Sequence, residues 1–223
     1  TRNRSGAAPL AELKAPPELS PAEVESLAAR PDAVLLDTRP VMQFAGAHVP
    51  GSVHVGLSGQ FASWAARLLG VTAHIVLVAE DEIAVRESRT RLARVGIENV
   101  EGYLAGGLPN WIGAGKAIVF VPQVSVQELA EWRRDRPAEM TLLDVREAGE
   151  RSAGCLASSL HVPLGQLPSR MSELNREGMW LVHCRSGYRS STATSLMLRA
   201  GFPNVANVTG GYDAWKTAFP DVQ

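Results

Sequence analysis

The sequence predicts an α/β protein in which two domains follow each other along the chain, each with a central parallel β-sheet flanked by helices. Two observations predict this fold class. The chain contains an internal repeat, and inside each copy short, continuously apolar runs alternate with amphipathic segments. Strands buried on both faces of a parallel sheet have such apolar runs, and their alternation with helices is typical of right-handed β-α-β connections.

The internal repeat is carried by four pairs of similar segments that keep their order along the chain. The pairs are VLLDTR and TLLDVR (34–39 and 141–146), HVGL and HVPL (54–57 and 161–164), RVGIENV and RAGFPNV (94–100 and 199–205), and LAGGLPNW and VTGGYDAW (104–111 and 208–215). The offset between partners drifts only from 107 to 104 residues. A repeat of this length is a whole domain rather than one turn of a solenoid.

Each copy is predicted to begin with a helix and then to alternate strands and helices. The first helix starts at Ser20 or Ser125, and each serine is followed three residues later by a glutamate that completes a capping box. A long amphipathic helix is predicted at roughly 87–95 and 190–200, and each ends before a glycine. The predicted strands are 33–36, 52–55, 75–79 and 100–104 in the first copy and 140–143, 159–162, 180–183 and 205–209 in the second.

The two domains are predicted to span residues 18–118 and 122–220, with a linker around Pro122. Residues 1–17, which contain three prolines, are interpreted as an extended lead-in rather than a domain. This segment has neither an initiator Met nor the apolar core of a signal peptide. This start is compatible with a processed or truncated piece of a longer product, and the sequence leaves that question open.

Composition argues against several classes of function. The 223 residues carry a formal net charge of −1, so no basic surface for nucleic acid or an anionic membrane is expected. No apolar run approaches the ~18 residues of a transmembrane helix. Two cysteines, Cys155 and Cys184, are too few for a disulfide framework, which favours a reducing, cytoplasmic location. The histidines and cysteines lack metal-ligand spacing and no nucleotide-binding glycine loop is present, so neither a metal nor a cofactor is predicted.

The segment LVHCRSGYRSS (181–191) is the part of the sequence that indicates a chemistry. It is predicted to be a strand that ends at Cys184, a short loop and the start of a helix. Backbone N–H groups and the helix N-terminus then converge above the sulfur, and Gly187 permits the tight loop. Arg185 and Arg189 add two permanent positive charges. Such a site favours a thiolate at Cys184, and equally an anionic substrate or a persulfide held on the sulfur.

This loop resembles the active-site loop of the rhodanese family of sulfurtransferases. The motifs LLDVRE, HVPL, CRSGYRS and VTGGYDAW follow the family pattern in order, and the resemblance covers nearly all of residues 18–220. It implies two rhodanese-like domains, each with a five-stranded parallel sheet. It also implies that Cys184 accepts a sulfane sulfur from thiosulfate or a small-molecule persulfide and passes it to a thiol, sulfite or cyanide.

The resemblance also assigns roles to residues near the nucleophile. Substrate contacts are expected from Arg185, Ser186, Gly187, Tyr188, Arg189 and Arg146. Tyr188 either contacts the substrate or only forms a wall of the pocket. Asp144 is expected to anchor loops, and His183 is expected to point to the opposite face of its strand and pack in the core.

Each copy departs from the family pattern at one place. In the first copy Ala79 stands in place of the nucleophile and Ala84 in place of the second arginine, and three consecutive carboxylates follow at 80–82. The first domain is therefore predicted to be a pseudo-rhodanese with a structural or interaction role, because the carboxylates repel an anionic donor. In the second copy Cys155 replaces the histidine that the first copy keeps as His48.

Other functions stay open on sequence alone. The loop has four residues between Cys184 and Arg189, whereas cysteine phosphatases and arsenate reductases have a five-residue spacing, so its length favours sulfur over phosphate. A pure binding module requires an unreactive Cys184. The segment 3–10, followed by an inactive and then an active copy, also resembles the C-terminal half of fusions between a metallo-β-lactamase-fold persulfide dioxygenase, which holds non-haem iron, and rhodaneses.

Overall fold

The computed structural model describes residues 14–221. Most of the predicted lead-in at 1–17, and the whole of segment 3–10, lie outside the described residues. The chain forms two compact units. Of the described residues, one unit contains 14–40 and Val55–Ile118, and the other contains Val41–His54 and 119–221.

Each of the two β-sheets has five strands, and the strand pairs are parallel, as the resemblance implies. The first sheet contains β1 (Glu18–Leu19), β2 (Ala33–Asp37), β3 (Val53–His54), β4 (His74–Val78) and β5 (Val100–Leu104), in the order β1-β5-β4-β2-β3. The second sheet contains β6 (Gln123–Val124), β7 (Met140–Asp144), β8 (Leu160–His161), β9 (Met179–His183) and β10 (Val205–Val208), in the order β6-β10-β9-β7-β8. The predicted fold class is confirmed.

Helices connect these strands in both copies. The helices of the first copy are α1 (Pro21–Ala28), α2 (Val41–Gly46), α3 (Phe61–Leu69), α4 (Glu82–Arg94) and α5 (Gly107–Gly113). Those of the second copy are α6 (Val126–Asp135), α7 (Ala148–Ser152), α8 (Leu167–Arg170), α9 (Tyr188–Arg199) and α10 (Gly211–Ala218), with 3₁₀ turns at Leu164–Gln166 and Met171–Glu173. Within the described part of the chain, no helix is both long enough and apolar enough to cross a bilayer.

The predicted capping boxes are confirmed at the first helix of each copy. The Ser20 hydroxyl accepts a hydrogen bond from the Glu23 N–H at 3.3 Å, and the Glu23 carboxylate accepts one from the Ser20 N–H at 2.8 Å. Ser125 and Glu128 make the same pair of bonds at 3.1 and 2.8 Å. Each box satisfies N–H groups that the first turn of a helix cannot pair internally.

The long helix of each copy begins earlier than the sequence pattern predicts. Helix α4 starts at Glu82 because the Asp81 carboxylate caps it, accepting from the Ala84 N–H at 2.8 Å. Helix α9 starts at Tyr188, directly after Gly187 at its N-cap. The edge strands β1 and β6 were not predicted, because two residues are too short to show any periodicity.

The segment Val41–His54 belongs by sequence to the first copy but packs within the second compact unit. His48 and Val119 exchange backbone hydrogen bonds of 2.8 and 3.0 Å, and the Val121 N–H donates to the Ala45 carbonyl at 2.9 Å. The His54 N–H donates to the Ser195 hydroxyl on α9 at 2.9 Å. The compact units therefore do not follow the sequence repeat in this segment.

Strand β9 lies at the centre of the second sheet, between β7 and β10. Leu181 on β9 is fully buried in a core that also contains Leu142, Ala206 and Trp215. Burying one leucine side chain contributes about 1.5–3 kcal/mol to the stability of the fold. Packing of this kind and the two neighbouring strands fix the position of β9. The residue that follows β9 therefore emerges from a fixed point at the carboxyl edge of the sheet, where parallel sheets of this class bind their ligands.

Candidate active site

Cys184 follows the last residue of β9, and only 1% of its side chain is exposed. Its Sγ accepts a hydrogen bond from the Gly187 N–H at 3.1 Å and lies 3.5 Å from the Ser190 hydroxyl, which donates to it. Both donors belong to the loop and the first turn of α9 that the sequence identified. The sulfur thus sits among donors that favour negative charge, at the N-terminus of a 12-residue helix.

Gly187 makes this turn possible because of its backbone conformation. Its φ is +104° and ψ is −14°, in the left-handed region that L-residues with side chains rarely adopt. The same residue is the N-cap of α9 and donates the hydrogen bond to Cys184 Sγ. The left-handed backbone conformation and the position at the start of α9 together explain why the sequence has a glycine here.

Arg189 is held by a carboxylate that the sequence analysis did not single out. Its Nη1 and Nη2 lie 2.6 and 2.7 Å from the two carboxylate oxygens of Glu150, at the end of the capping turn of α7. The hydrogen bond from Arg189 lowers the pKa of Glu150, and the bond to Glu150 raises the pKa of Arg189. Both partners are therefore charged at neutral pH.

Arg185 is also paired, but in a different environment. Its Nε lies 2.9 Å from Oδ2 of Asp213 at the start of α10, and the two side chains are 68% and 53% exposed. An exposed ion pair of this kind contributes only about 0–1 kcal/mol and opens readily. Ser186 beside it is exposed, and Tyr188 is half-buried at the first position of α9.

Arg146 is almost fully buried and makes contacts on several sides. Its Nε and Nη2 donate to the Asp144 carboxylate at 3.0 and 2.7 Å, and Nη2 also donates to the Gly154 carbonyl at 2.9 Å. Its guanidinium carbon lies 4.1 Å from the centroid of the Tyr212 ring. Burial raises the pKa of Asp144, but the hydrogen bond from Arg146 is among the influences that bring it below its usual value overall. The geometry makes Arg146 an anchor for neighbouring loops, and its contact with substrate stays a prediction.

The Gly-Gly turn before α10 supports the loop of Cys184 from behind. The Tyr212 N–H donates to the Cys184 carbonyl at 2.8 Å, and the Asp213 N–H donates to the Arg185 carbonyl at 2.9 Å. A Cβ at Gly211 would collide with these same two carbonyl oxygens. The motif VTGGYDAW predicted this turn in the sequence, but only the fold shows that it holds the loop that begins at Cys184.

His183 lies in the core next to the site, as predicted. Its ring is fully buried, and its Nε2 is 3.9 Å from the Asp144 carboxylate. Burial lowers its pKa to about 4, because Asp144, which favours the charged form, does not compensate fully for the loss of water. His183 is therefore neutral in the folded protein at neutral pH.

We expect the stability of the protein to fall as the pH is lowered from about 6.5 to about 4. Over this range the unfolded chain protonates His183 while the folded chain does not, so acid favours unfolding. The shift corresponds to a loss on the order of 3 kcal/mol in the free energy of unfolding across this range. Urea denaturation at several pH values, for the wild type and for His183→Leu, measures it.

The variant should lose stability less steeply than the wild type between these pH values, and both should show the same slope above pH 7, where His183 is neutral in both states. Equal slopes below pH 6.5 would show that His183 is not the group responsible.

The first unit has a cavity of about 300 Å³ at the position that corresponds to the Cys184 loop of the second. It is lined by Ala79, by the carboxylate residues 80–82 and by Glu18, whose carboxylate accepts from the Tyr103 hydroxyl at 3.0 Å. The cavity offers carboxylates in place of a thiol. Among residues 14–221, no group of three His, Cys, Asp or Glu side chains is arranged to hold a metal ion.

Comparisons with known proteins agree with this architecture. The model of the Rhodanese-like domain family matches residues 20–114 and 125–218. A sulfurtransferase of Allochromatium vinosum is 34% identical over 77 residues, which are 34% of this chain and 72% of that protein. The Bacillus subtilis protein YrkF, named as a sulfur carrier, is 33% identical over 95 residues, which are 43% of this chain and about half (51%) of that protein.

Among solved structures, a thiosulfate sulfurtransferase from Pseudomonas aeruginosa is 26% identical, and the match covers 91% of this chain and 42% of that chain with a TM-score of 0.41. The two matches of the family model together cover most of the 223 residues. The chain therefore belongs to the rhodanese-like domain family and consists of two such domains in tandem. Its relatives include sulfurtransferases.

Proposed function

We propose that the second domain transfers a sulfane sulfur through a persulfide on Cys184. The observation that carries the proposal is the position of Sγ. It lies at the carboxyl edge of the central strand, accepts hydrogen bonds from the Gly187 N–H and the Ser190 hydroxyl, and precedes the first turn of α9. These donors stabilise negative charge on the thiolate and on the terminal sulfur of a persulfide.

The reaction has two displacement steps. The Cys184 thiolate attacks the sulfane sulfur of the donor, an S–S bond forms at Sγ, and the remainder of the donor leaves with the electron pair of the broken bond. This remainder is sulfite from thiosulfate or a thiolate from a persulfide. A thiolate, sulfite or cyanide acceptor then attacks the outer sulfur, and Sγ leaves as a thiolate. The cycle needs no external oxidant or reductant, because the sulfane sulfur keeps its oxidation state throughout.

The residues around Cys184 contribute to these steps in different ways, according to how exposed each one is. Arg185 is exposed and held by a single carboxylate contact, so it is free to turn toward the anionic end of a donor. Ser186 is exposed within the loop, and Tyr188 follows it half-buried at the start of α9. Arg189 is fixed by two hydrogen bonds to Glu150 and keeps a constant position at the start of α9. Arg146 is buried and acts indirectly, because its guanidinium holds the Gly154 carbonyl and the Tyr212 ring in place.

Mass spectrometry of the intact protein tests the proposal. After incubation with thiosulfate or glutathione persulfide and removal of the donor, the protein should gain the mass of one sulfur atom, located on the Cys184 peptide. Cyanide should then remove that mass as thiocyanate. The Cys155 peptide in the same sample is the internal control and should stay unmodified.

No gain of mass with either donor would contradict the proposal. Hydrolysis of an aryl phosphate that depends on Cys184 would support a phosphatase instead.

A further inference from the structure

The charges around the nucleophile of the second unit are balanced. Four arginines in the segments of the chain around Cys184 are accompanied by four carboxylates in the same or neighbouring segments. The arginines are Arg146, Arg151, Arg185 and Arg189, and the carboxylates are Asp144, Glu147, Glu150 and Asp213. His183, also beside the site, is neutral at neutral pH. The sequence of the loop alone indicates a strongly cationic site. With the four carboxylates included, the formal charges of these side chains sum to about zero.

The pairs differ in how firmly they are held. The Arg189 side chain is 15% exposed and that of Glu150 is 31% exposed, and two short hydrogen bonds join them in a fork. Screening by water is weak at such a position, and the planar fork is a rigid arrangement. The pair of Arg185 and Asp213 is mostly exposed and rests on one contact. Substrate is therefore able to displace Asp213 from Arg185 much more easily than Glu150 from Arg189.

The sequence repeat supports a link between this firm pair and the chemistry. At the offset of 107 residues Gln43 of the first copy corresponds to Glu150, and at the offset of 105 residues Ala84 corresponds to Arg189. The copy that lacks the cysteine thus lacks both members of the pair. Because a buried or half-buried charge without its partner is costly, arginine and glutamate are expected to be present or absent together.

Donors differ in the charge they bring to this site. Thiosulfate is a compact dianion, whereas the reacting end of an alkyl persulfide carries a single negative charge on its terminal sulfur. A site with unpaired cations favours the dianion. Where Glu150 neutralises Arg189, the site offers an anionic donor the charge of Arg185, backbone N–H groups and the helix N-terminus, and Glu150 itself repels a second negative charge.

We propose that Glu150 is a specificity-determining residue, which neutralises Arg189 and sets the site to prefer singly charged alkyl persulfides over the thiosulfate dianion. This inference rests on the proposed sulfurtransferase function and names its donor class. Glu150 does not enter either displacement step, so it changes the relative rates of two donors rather than the ability to form the Cys184 persulfide.

The test compares kcat/KM for thiosulfate and for 2-hydroxyethyl persulfide, with cyanide as acceptor, in the wild type and in Glu150→Gln. We expect the variant to use thiosulfate on the order of tenfold better relative to the persulfide, because it releases the charge of Arg189. Glu150→Asp keeps the charge and should keep the preference of the wild type. Glu173→Gln removes an exposed carboxylate, paired with Arg170 in the same unit, and should leave the ratio unchanged.

The wild type provides a second measurement that does not depend on a variant folding. If the site is charge-balanced, its kcat/KM for thiosulfate should fall by less than roughly twofold between about 0.02 and 0.2 M salt. A steep fall with salt would overturn the proposal, as would an equal loss with both donors in Glu150→Gln. If the wild type transfers sulfur from neither donor, the proposed function itself fails, and that outcome is recognised before any variant is compared.

Discussion

Cys184→Ala should lower kcat/KM for sulfur transfer by at least about a thousandfold with both thiosulfate and glutathione persulfide, because it removes the nucleophile of a covalent mechanism. No other thiol is available at the same place, since the second cysteine of the chain, Cys155, lies on the loop between α7 and β8. The buried Sγ accepts two hydrogen bonds, so the variant should also lose about 1 kcal/mol of stability while remaining folded.

The matched control is Cys155→Ala, which removes a thiol of intermediate exposure that takes no part in the proposed steps. It should keep activity within about twofold of the wild type, because rate effects of uninvolved side chains are small. Thiocyanate formation from cyanide measures both variants, and circular dichroism shows that they are folded. Residual activity of Cys184→Ala near the wild-type value would refute a persulfide on this residue.

Gly211→Ala should have the second largest effect on sulfur transfer. An alanine side chain does not fit at this position, and its backbone conformation is one that alanine rarely adopts. The φ of Gly211 is +56°, and the added Cβ would meet the carbonyl oxygens of Cys184 and Arg185, which are backbone atoms and move only with the loop. The Tyr212 and Asp213 N–H groups that hold those carbonyls would move as well. We expect a loss on the order of 3 kcal/mol of stability and of about a hundredfold in kcat, since displacement of a reacting group by 1 Å has effects of that size.

Gly107→Ala provides the control for Gly211→Ala, because the two glycines correspond in the repeat. Gly107 has a φ of +58°, and its added Cβ would lie 3.2 Å from the carbonyl oxygen of Ala79, which stands at the position of Cys184 in the first copy. The control should lose stability without losing sulfur transfer. Thermal unfolding and steady-state kinetics of both variants separate the two effects, and equal activity losses would mean that the turn before α10 has no special relation to Cys184.

Local patterns determine much of this protein, and the sequence alone was enough to predict those parts. The internal repeat, the continuous apolar runs and the capping boxes predicted two α/β domains with parallel sheets, and this is confirmed. The strand–loop–helix segment around Cys184 was also predicted in outline, and the absence of a thiol from the first copy follows directly from Ala79. These features depend on residues that are neighbours in sequence, so their spacing carries the information.

Tertiary structure alone decided which charges and backbone groups surround the sulfur. Glu150 meets Arg189 across 39 positions of the chain, and Asp213 meets Arg185 across 28. Gly211 packs against the Cys184 carbonyl because the ends of β9 and β10 meet at one edge of the sheet. The placement of Val41–His54 in the second compact unit likewise depends on contacts far along the chain. Periodicity and capping describe interactions within a few residues, whereas parallel strands bring distant segments together. The sequence therefore predicted the strand, loop and helix around Cys184 but not the carboxylates that pair with the nearby arginines.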